Sequence, residues 1–238
     1  FDEFFGLPAS LDMRDYVYID GDRVPEPPTA EIAGAPSRVP AFHRPGRAGA
    51  SFRPERVLGD LTARAVRYVR GRPPGTQPFF LYLAFNAAHT PMEASEKYLA
   101  RFPNIADPQR RTYAAMMSAM DDAIGRTLAA VHDQKLEEKT LVIFLNDNGG
   151  PTMPTTTVNG SSNGPLRGSK RQTWEGGIRV AFAMSWKGHL DAGRVDDRPI
   201  IQLDVLPTAF AAAGVATNAS EFDGVNLLPF LTCTANGA

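Results

Sequence analysis

The stretch TLVIFLNDNGG, residues 140–150, sets an apolar run directly against Asp147, Asn148 and a pair of glycines. The run is short and mixes β-branched with aromatic side chains, which reads as a buried strand. A strand needs no carboxylate and amide at its exit, whereas a metal site does. Asp and Asn both offer oxygen, the donor that hard divalent cations such as calcium or magnesium prefer. The same residues also suit a plain turn, and Gly149 and Gly150 let the backbone turn sharply there.

Working outward, the pattern repeats upstream. Pro78 leads into FFLYLAFN (79–86), an almost wholly apolar run of the kind that is buried on both faces of a parallel sheet. It exits through NAAHTP, with His89 three residues past Asn86 and Pro91 stiffening the turn. Helical spacing flanks both runs. Val57, Leu58, Leu61, Ala65, Val66 and Val69 recur at helical intervals before Gly71. In RTYAAMMSAMDDAIGRTLAAVHDQ (111–134), Met116, Met120, Ile124, Leu128 and Val131 form one stripe of a long amphipathic helix. Beyond Asn148, GGIRVAFAMSW (176–186) reads as a third strand and DVLPTAFAAAG (204–214) as a helix ended by Gly214. The alternation is that of an α/β fold. Ligands in such folds gather beyond the carboxyl ends of strands, where His89 and Asp147 stand.

Residues 1–55 differ. They are rich in Pro, Gly, Asp and Arg, with YVYID (16–20) as the clear strand candidate. The segment reads as irregular loops that cover something else. Residues 56–238 then form the α/β portion.

Between the second and third strands lies a Thr/Ser/Gly loop, followed by NGPLRGSKRQTWEGG (163–177). Arg167, Lys170 and Arg171 place three cations within five residues, and Gly164 and Gly168 allow close backbone approach. That set suits an oxyanion such as sulfate or phosphate, and equally a solvated basic turn. The G-x-x-x-x-G-K-[ST] spacing of a Walker A loop is absent. Asp121 and Asp122 read as a solvated helix face, with Asp122 paired to Arg126 one turn on. Trp174 and Glu175 read as packing and turn stabilisation. His43, His132 and His189 lack partners at ligand spacing, and Cys233 has neither base nor second cysteine beside it.

Bulk composition narrows the classes. The chain has 238 residues, 43% hydrophobic and 21% charged, enough for one large domain with a core. With 25 basic against 26 acidic residues, no global field points to nucleic acid or an anionic membrane. No apolar run approaches the roughly 18 residues of a membrane span. One cysteine excludes an internal disulfide framework. The chain starts at Phe1 rather than Met, which reads as processing or as a piece of a longer protein.

Taken in order, PFFLYLAFNAAHTP, YAAMMSAMDDAIGRTL, TLVIFLNDNGG, NGPLRGSKRQTWEGGIRVAFAMSW and LDVLPTAFAAAGV resemble the type I sulfatases, the arylsulfatase family. The opening FDEFFGLPASLDMRDYVYID and the later DGVNLLPFLT resemble bacterial members. The resemblance implies an alkaline-phosphatase-like α/β sandwich, with a largely parallel central sheet flanked by helices, that hydrolyses sulfuric esters. It implies that Asp147 and Asn148 are metal ligands, usually for Ca2+ with Mg2+ as the alternative. By the same resemblance His89 contacts the sulfate and leaving-group oxygens, and Lys170 binds the sulfate. The partner it implies is a sulfate ester, a small molecule or a sulfated glycan, met in the periplasm or outside the cell.

The family's nucleophile is a formylglycine made within a C-x-P-S-R or S-x-P-S-R motif, and neither motif occurs in this sequence. The upstream Asp-Asp metal pair is also missing. The chain therefore resembles the second half of a catalytic domain, a partial domain over 1–238 with an incomplete sheet. Two expectations follow. Alone it is inactive, with the missing upstream half as a partner, and it binds metal weakly through one carboxylate. The alternatives are a non-catalytic calcium or oxyanion binder and a phosphate or phosphonate ester hydrolase relative.

Overall fold

The computed structural model describes residues 1–36, 41–153 and 158–232. In chain order the elements are β1 (Phe5–Gly6), β2 (Ile19–Asp20), β3 (Ala30–Ile32), β4 (Gly46–Ala48), α1 (Val57–Arg70), α2 (Glu96–Leu99), α3 (Pro108–Asp133), β5 (Val142–Leu145), α4 (Glu175–Ile178), β6 (Phe182–Ser185), α5 (Val205–Ala212) and α6 (Leu228–Thr232). The mixture of helices and strands is the α/β one that the sequence pattern predicts.

The helices form where spacing and caps agree. Asp107 accepts a hydrogen bond from the Arg110 amide at 2.6 Å, and Pro108 occupies the first helical position, so α3 starts there. Its inner stripe holds Met116, Met120 and Val131, all buried, while Leu128 stands at the edge of the stripe, exposed. Helix α1 packs along α3, and Val69 meets Ala130, Val131 and Leu136 in one apolar cluster. Asp122 does not pair with Arg126. Its carboxylate takes the Arg101 guanidinium at 2.8 and 3.1 Å, so it ties α3 to the turn after α2.

The N-terminal segment is more ordered than an irregular cover. It holds the antiparallel pairs β1–β2 and β3–β4, and a cluster of Leu11, Tyr16, Ala48 and Phe52 closed by Val57 of α1. Breaker-rich sequence hides such short pairs, because each spans only two or three residues.

The sheets correct the expected strand arrangement. Among the described residues every ladder is two-stranded and antiparallel; β5 pairs β6 with Val142 opposite Ser185 and Leu145 opposite Phe182. A parallel pair needs a crossover that carries the chain back to the starting end of the sheet. Because β5 and β6 are antiparallel, their connection leaves and returns at the same end of the pair, and the helix it holds among the described residues is the four-residue α4. The run 79–86 is extended but joins no ladder. Its side chains alternate, Phe79, Leu81 and Leu83 half-buried, Phe80 and Tyr82 exposed at 55% and 73%. The expected burial on both faces is thus absent, since the Phe80 side meets the exposed Phe1 ring, 6.0 Å away, and stays 55% exposed.

Candidate active site

One cavity of about 1450 Å³ collects the residues that sequence reasoning singled out. His89, Asp147, Asn148 and Lys170 all line it, although they leave three separate chain segments. Much of its remaining wall comes from the N-terminal residues and from 77–90, and Arg44, Arg72 and residues of α1 and α3, Arg64 and Tyr113 among them, add to it.

The His89 turn closes when the His89 amide donates to the Asn86 carbonyl at 2.9 Å. The ring Nδ1 lies 3.0 Å from the Thr90 carbonyl, with the hydroxyls of Thr90 and Ser10 at 3.3 and 3.4 Å. A carbonyl only accepts, so Nδ1 carries the hydrogen in that contact and Nε2 is left for a ligand. Buried Asn159 donates to the Ala88 carbonyl at 3.0 Å, which ties this turn to the loop that leads to Lys170.

At the end of β5, the Asp147 carboxylate accepts the Asn148 amide at 2.8 Å, and the Asn148 side-chain NH2 donates to the Gly149 carbonyl at 2.9 Å. That leaves the Asn148 Oδ1 and the second oxygen of Asp147 free of these bonds. The pair Gly149 and Gly150 does not serve a left-handed backbone, as neither has positive φ. A Cβ at Gly149 would stand 1.9 Å from the Gly176 carbonyl oxygen, and one at Gly150 1.9 Å from Ser161 Oγ. Gly149 is needed for close packing of the β5 exit against the Gly176–Gly177 turn, and Gly150 for the close approach of Ser161 and Asn163.

That packing is what presents Lys170. Its amide donates to the Gly150 carbonyl at 3.2 Å. Ser169, fully buried, accepts from the Thr152 amide at 2.9 Å and donates to the Gly150 carbonyl at 3.3 Å. The Asn163 amide donates to the Gly150 and Gly168 carbonyls and its oxygen accepts from the Gly150 amide. Gly168 has φ 111, and a Cβ there would lie 2.6 Å from Trp174 Cβ. A Cβ at Gly164, in contrast, would meet Ser162 Oγ at 3.6 Å, an ordinary contact. Among the described residues the Lys170 ammonium has no hydrogen-bond or ion-pair partner.

The three-cation loop divides. Lys170 and Arg171 face the cavity; the Arg167 guanidinium stacks 4.3 Å from the Trp174 ring instead. Trp174 is 51% exposed, with Arg167 over its ring, and Glu175 at the start of α4 pairs with Arg179 just past its end at 3.2 Å. Cys233 lies outside the described residues. Sequence reasoning missed Asn159, Asn163 and Ser169, whose signal was only a long polar loop, and Ser10, which lies in the N-terminal segment.

The donor set partly fits a hard cation. Asp147 and Asn148 supply oxygens from adjacent residues on one cavity, but among the described residues no group of three or more His, Cys, Asp or Glu comes together. Calcium takes about six to eight oxygens. These residues match a portion of such a site.

The sulfatase family model matches residues 1–215. The chain belongs to the sulfatase family. It is 36% identical over 155 residues to human N-acetylgalactosamine-6-sulfatase, which covers 65% of this chain and 28% of that protein. To human arylsulfatase H it is 34% identical, over 74% of this chain and 30% of the relative. The chain thus spans less than a third of the curated relatives it matches. Among solved structures it resembles Ps i-CgsB in complex with k-i-k-neocarrahexaose, with a TM-score of 0.68 and 37% identity over 73% of this chain and 38% of that one. The fold is the alkaline-phosphatase-like α/β fold of the sulfatases. Among the described residues no helix is long and apolar enough to cross a membrane.

Proposed function

We propose that residues 1–238 form the sulfate-binding half of a sulfatase catalytic domain that hydrolyses sulfuric esters, sulfated glycans among them. Residues 56–238 carry the site and residues 1–55 cover it. The observation that carries this reading is the convergence of His89, Asn148 and Lys170 on one cavity from distant parts of the chain. The ammonium of Lys170, without a partner of its own, binds a sulfate oxygen and stabilises charge on the transferring sulfuryl group. His89, with Nδ1 turned to the Thr90 carbonyl, presents Nε2 to the ester oxygen; in its protonated form it gives that oxygen a proton as the bond to sulfur breaks.

Asp147 and Asn148 would hold part of a calcium site. Calcium bound there supplies positive charge to the sulfate oxygens, and the formylglycine general to the family supplies the nucleophile. The C-x-P-S-R or S-x-P-S-R motif that yields it is not in this sequence. The nucleophile and the remaining metal ligands then come from polypeptide outside residues 1–238, in an exported protein, periplasmic or secreted.

Two assays test this. Purified 1–238 releases no product from 4-nitrophenyl sulfate or 4-nitrophenyl phosphate. Calcium-dependent turnover that disappears in Lys170→Ala would overturn the assignment. Sequencing the DNA upstream of the Phe1 codon is the second; the expected result is an open frame with the missing motif. A stop codon just upstream would instead make the chain a binding module.

A further inference from the structure

Arg171 stands next to Lys170 and has a backbone that few residues with a side chain adopt. Among the described residues only Lys135 and Arg171 have positive φ outside glycine, at 56° and 76°. Lys135 follows the end of α3, where a left-handed residue is a common helix stop. Arg171 closes no such helix. It lies between the Lys170 amide, bonded to Gly150, and the Gln172 amide, which donates to the Ser169 carbonyl at 3.0 Å. A left-handed conformation is disfavoured for any residue with a Cβ, and such outliers gather at ligand-binding sites.

The surroundings single out the same side chain. Three other arginines line the cavity, and each has a carboxylate: Arg44 with Asp12 at 2.8 Å, Arg64 with Asp20 at 2.8 Å, and Arg72 with Glu3 at 3.5 Å. Arg171 is exposed and has no side-chain partner among the described residues. The fold thus sets two neighbouring unpaired cations on one cavity wall. A sulfate monoester brings one negative charge, which Lys170 suffices to meet. The volume of about 1450 Å³ leaves room for an alcohol far larger than a single sulfate.

We propose that Arg171 binds a second anionic group, a carboxylate or another sulfate, carried by the alcohol part of the substrate beside the sulfate that Lys170 holds. Its planar guanidinium matches either oxyanion with paired hydrogen bonds, which a lysine does not. This deepens the sulfatase reading by naming the substrate class, a sulfate ester with a neighbouring anion, and rests on that reading.

The test is an NMR titration of 15N-labelled 1–238 in low salt with three probes: ethyl sulfate, ethane-1,2-diyl bis-sulfate and 2-(sulfooxy)acetate. The wild type is expected to bind one or both dianions about tenfold more tightly than ethyl sulfate, the gain of one charge-assisted pair. The arm that gains identifies sulfate or carboxylate as the second group. Arg171→Gly, which also relieves the backbone and so should fold, reduces that preference to no more than about twofold, while Arg171→Lys keeps part of it. Lys170→Ala weakens all three probes together, which tests the sulfatase reading separately. Equal preference in the wild type and Arg171→Gly would overturn the role of Arg171. So would wild-type binding of ethyl sulfate without gain for either dianion, or no binding of any probe; the last result also counts against the sulfate site itself.

Discussion

The two walls of the cavity are built on opposite plans. The loop from Asn146 to Gly177 is bonded to itself through Asn163, Ser169 and the backbones of Gly149 and Gly176, and it is tied to its surroundings through Arg110, Ala88 and Gln202. The facing run 79–85 has the extended geometry of a strand, yet none of its backbone amides or carbonyls makes a hydrogen bond among the described residues. Its hold on the molecule is the packing of Phe79 and Leu81 against the Val69 and Val131 cluster. A loop with internal bonds keeps its site residues in place locally. A strand with one packed face waits for neighbours to finish it.

The contrast can be broken first at its tightest point. Gly149→Ala drives a methyl into the Gly176 carbonyl, a backbone atom that cannot step aside cheaply. A loss of about 3 kcal/mol in a urea melt is expected, the upper part of the usual overpacking range. A loss under about 0.5 kcal/mol would show that the loop yields, and that its glycines are not there for packing. Hydrogen exchange sharpens the comparison next. Amides of Phe80–Phe85 should exchange about a hundredfold faster than the ladder amides of Val142–Leu145, since only the latter are bonded across a sheet. Equal protection would mean that 79–85 has found a partner.

The smallest effect concerns a pair outside the cavity. Arg101 beside Asp122 holds that carboxyl below its usual range. Because the folded value is the lower one, the unfolded chain binds more protons in the acid range. The pair therefore stabilises above the ordinary aspartate pKa and loses its contribution as pH falls through the folded value. Asp122→Asn should lower the urea midpoint slightly at pH 7 and flatten its decline toward pH 3. An unchanged acid slope would remove this pair from the account.

The sequence showed most of what local chemistry determines. The helices that the structure places at Val57–Arg70 and Pro108–Asp133 declared themselves by period, the first also by Gly71 after it, and Gly214, at φ 69, by its place after α5. His89, Asp147 and Asn148 stood out because polar residues follow apolar runs, and Lys170 because it lies among three cations in a glycine-containing loop. Non-local pairing was not legible. Nothing in FFLYLAFN says whether a neighbour is present, and nothing in TLVIFLN says that its partner runs antiparallel from across a long loop. Asn163 and Ser169 read as mere loop polarity until their contacts with Gly150 were seen. Arg171 was grouped with Arg167 by spacing, and backbone direction separates them.

The most direct test of the central claim is a titration of 15N-labelled 1–238 with inorganic sulfate. The account predicts that the amides of His89, Asn148 and Lys170 shift together on one binding curve, and that Lys170→Ala abolishes it. Shifts confined to other residues, or an unchanged curve in Lys170→Ala, would contradict the assignment of this cavity as the sulfate site.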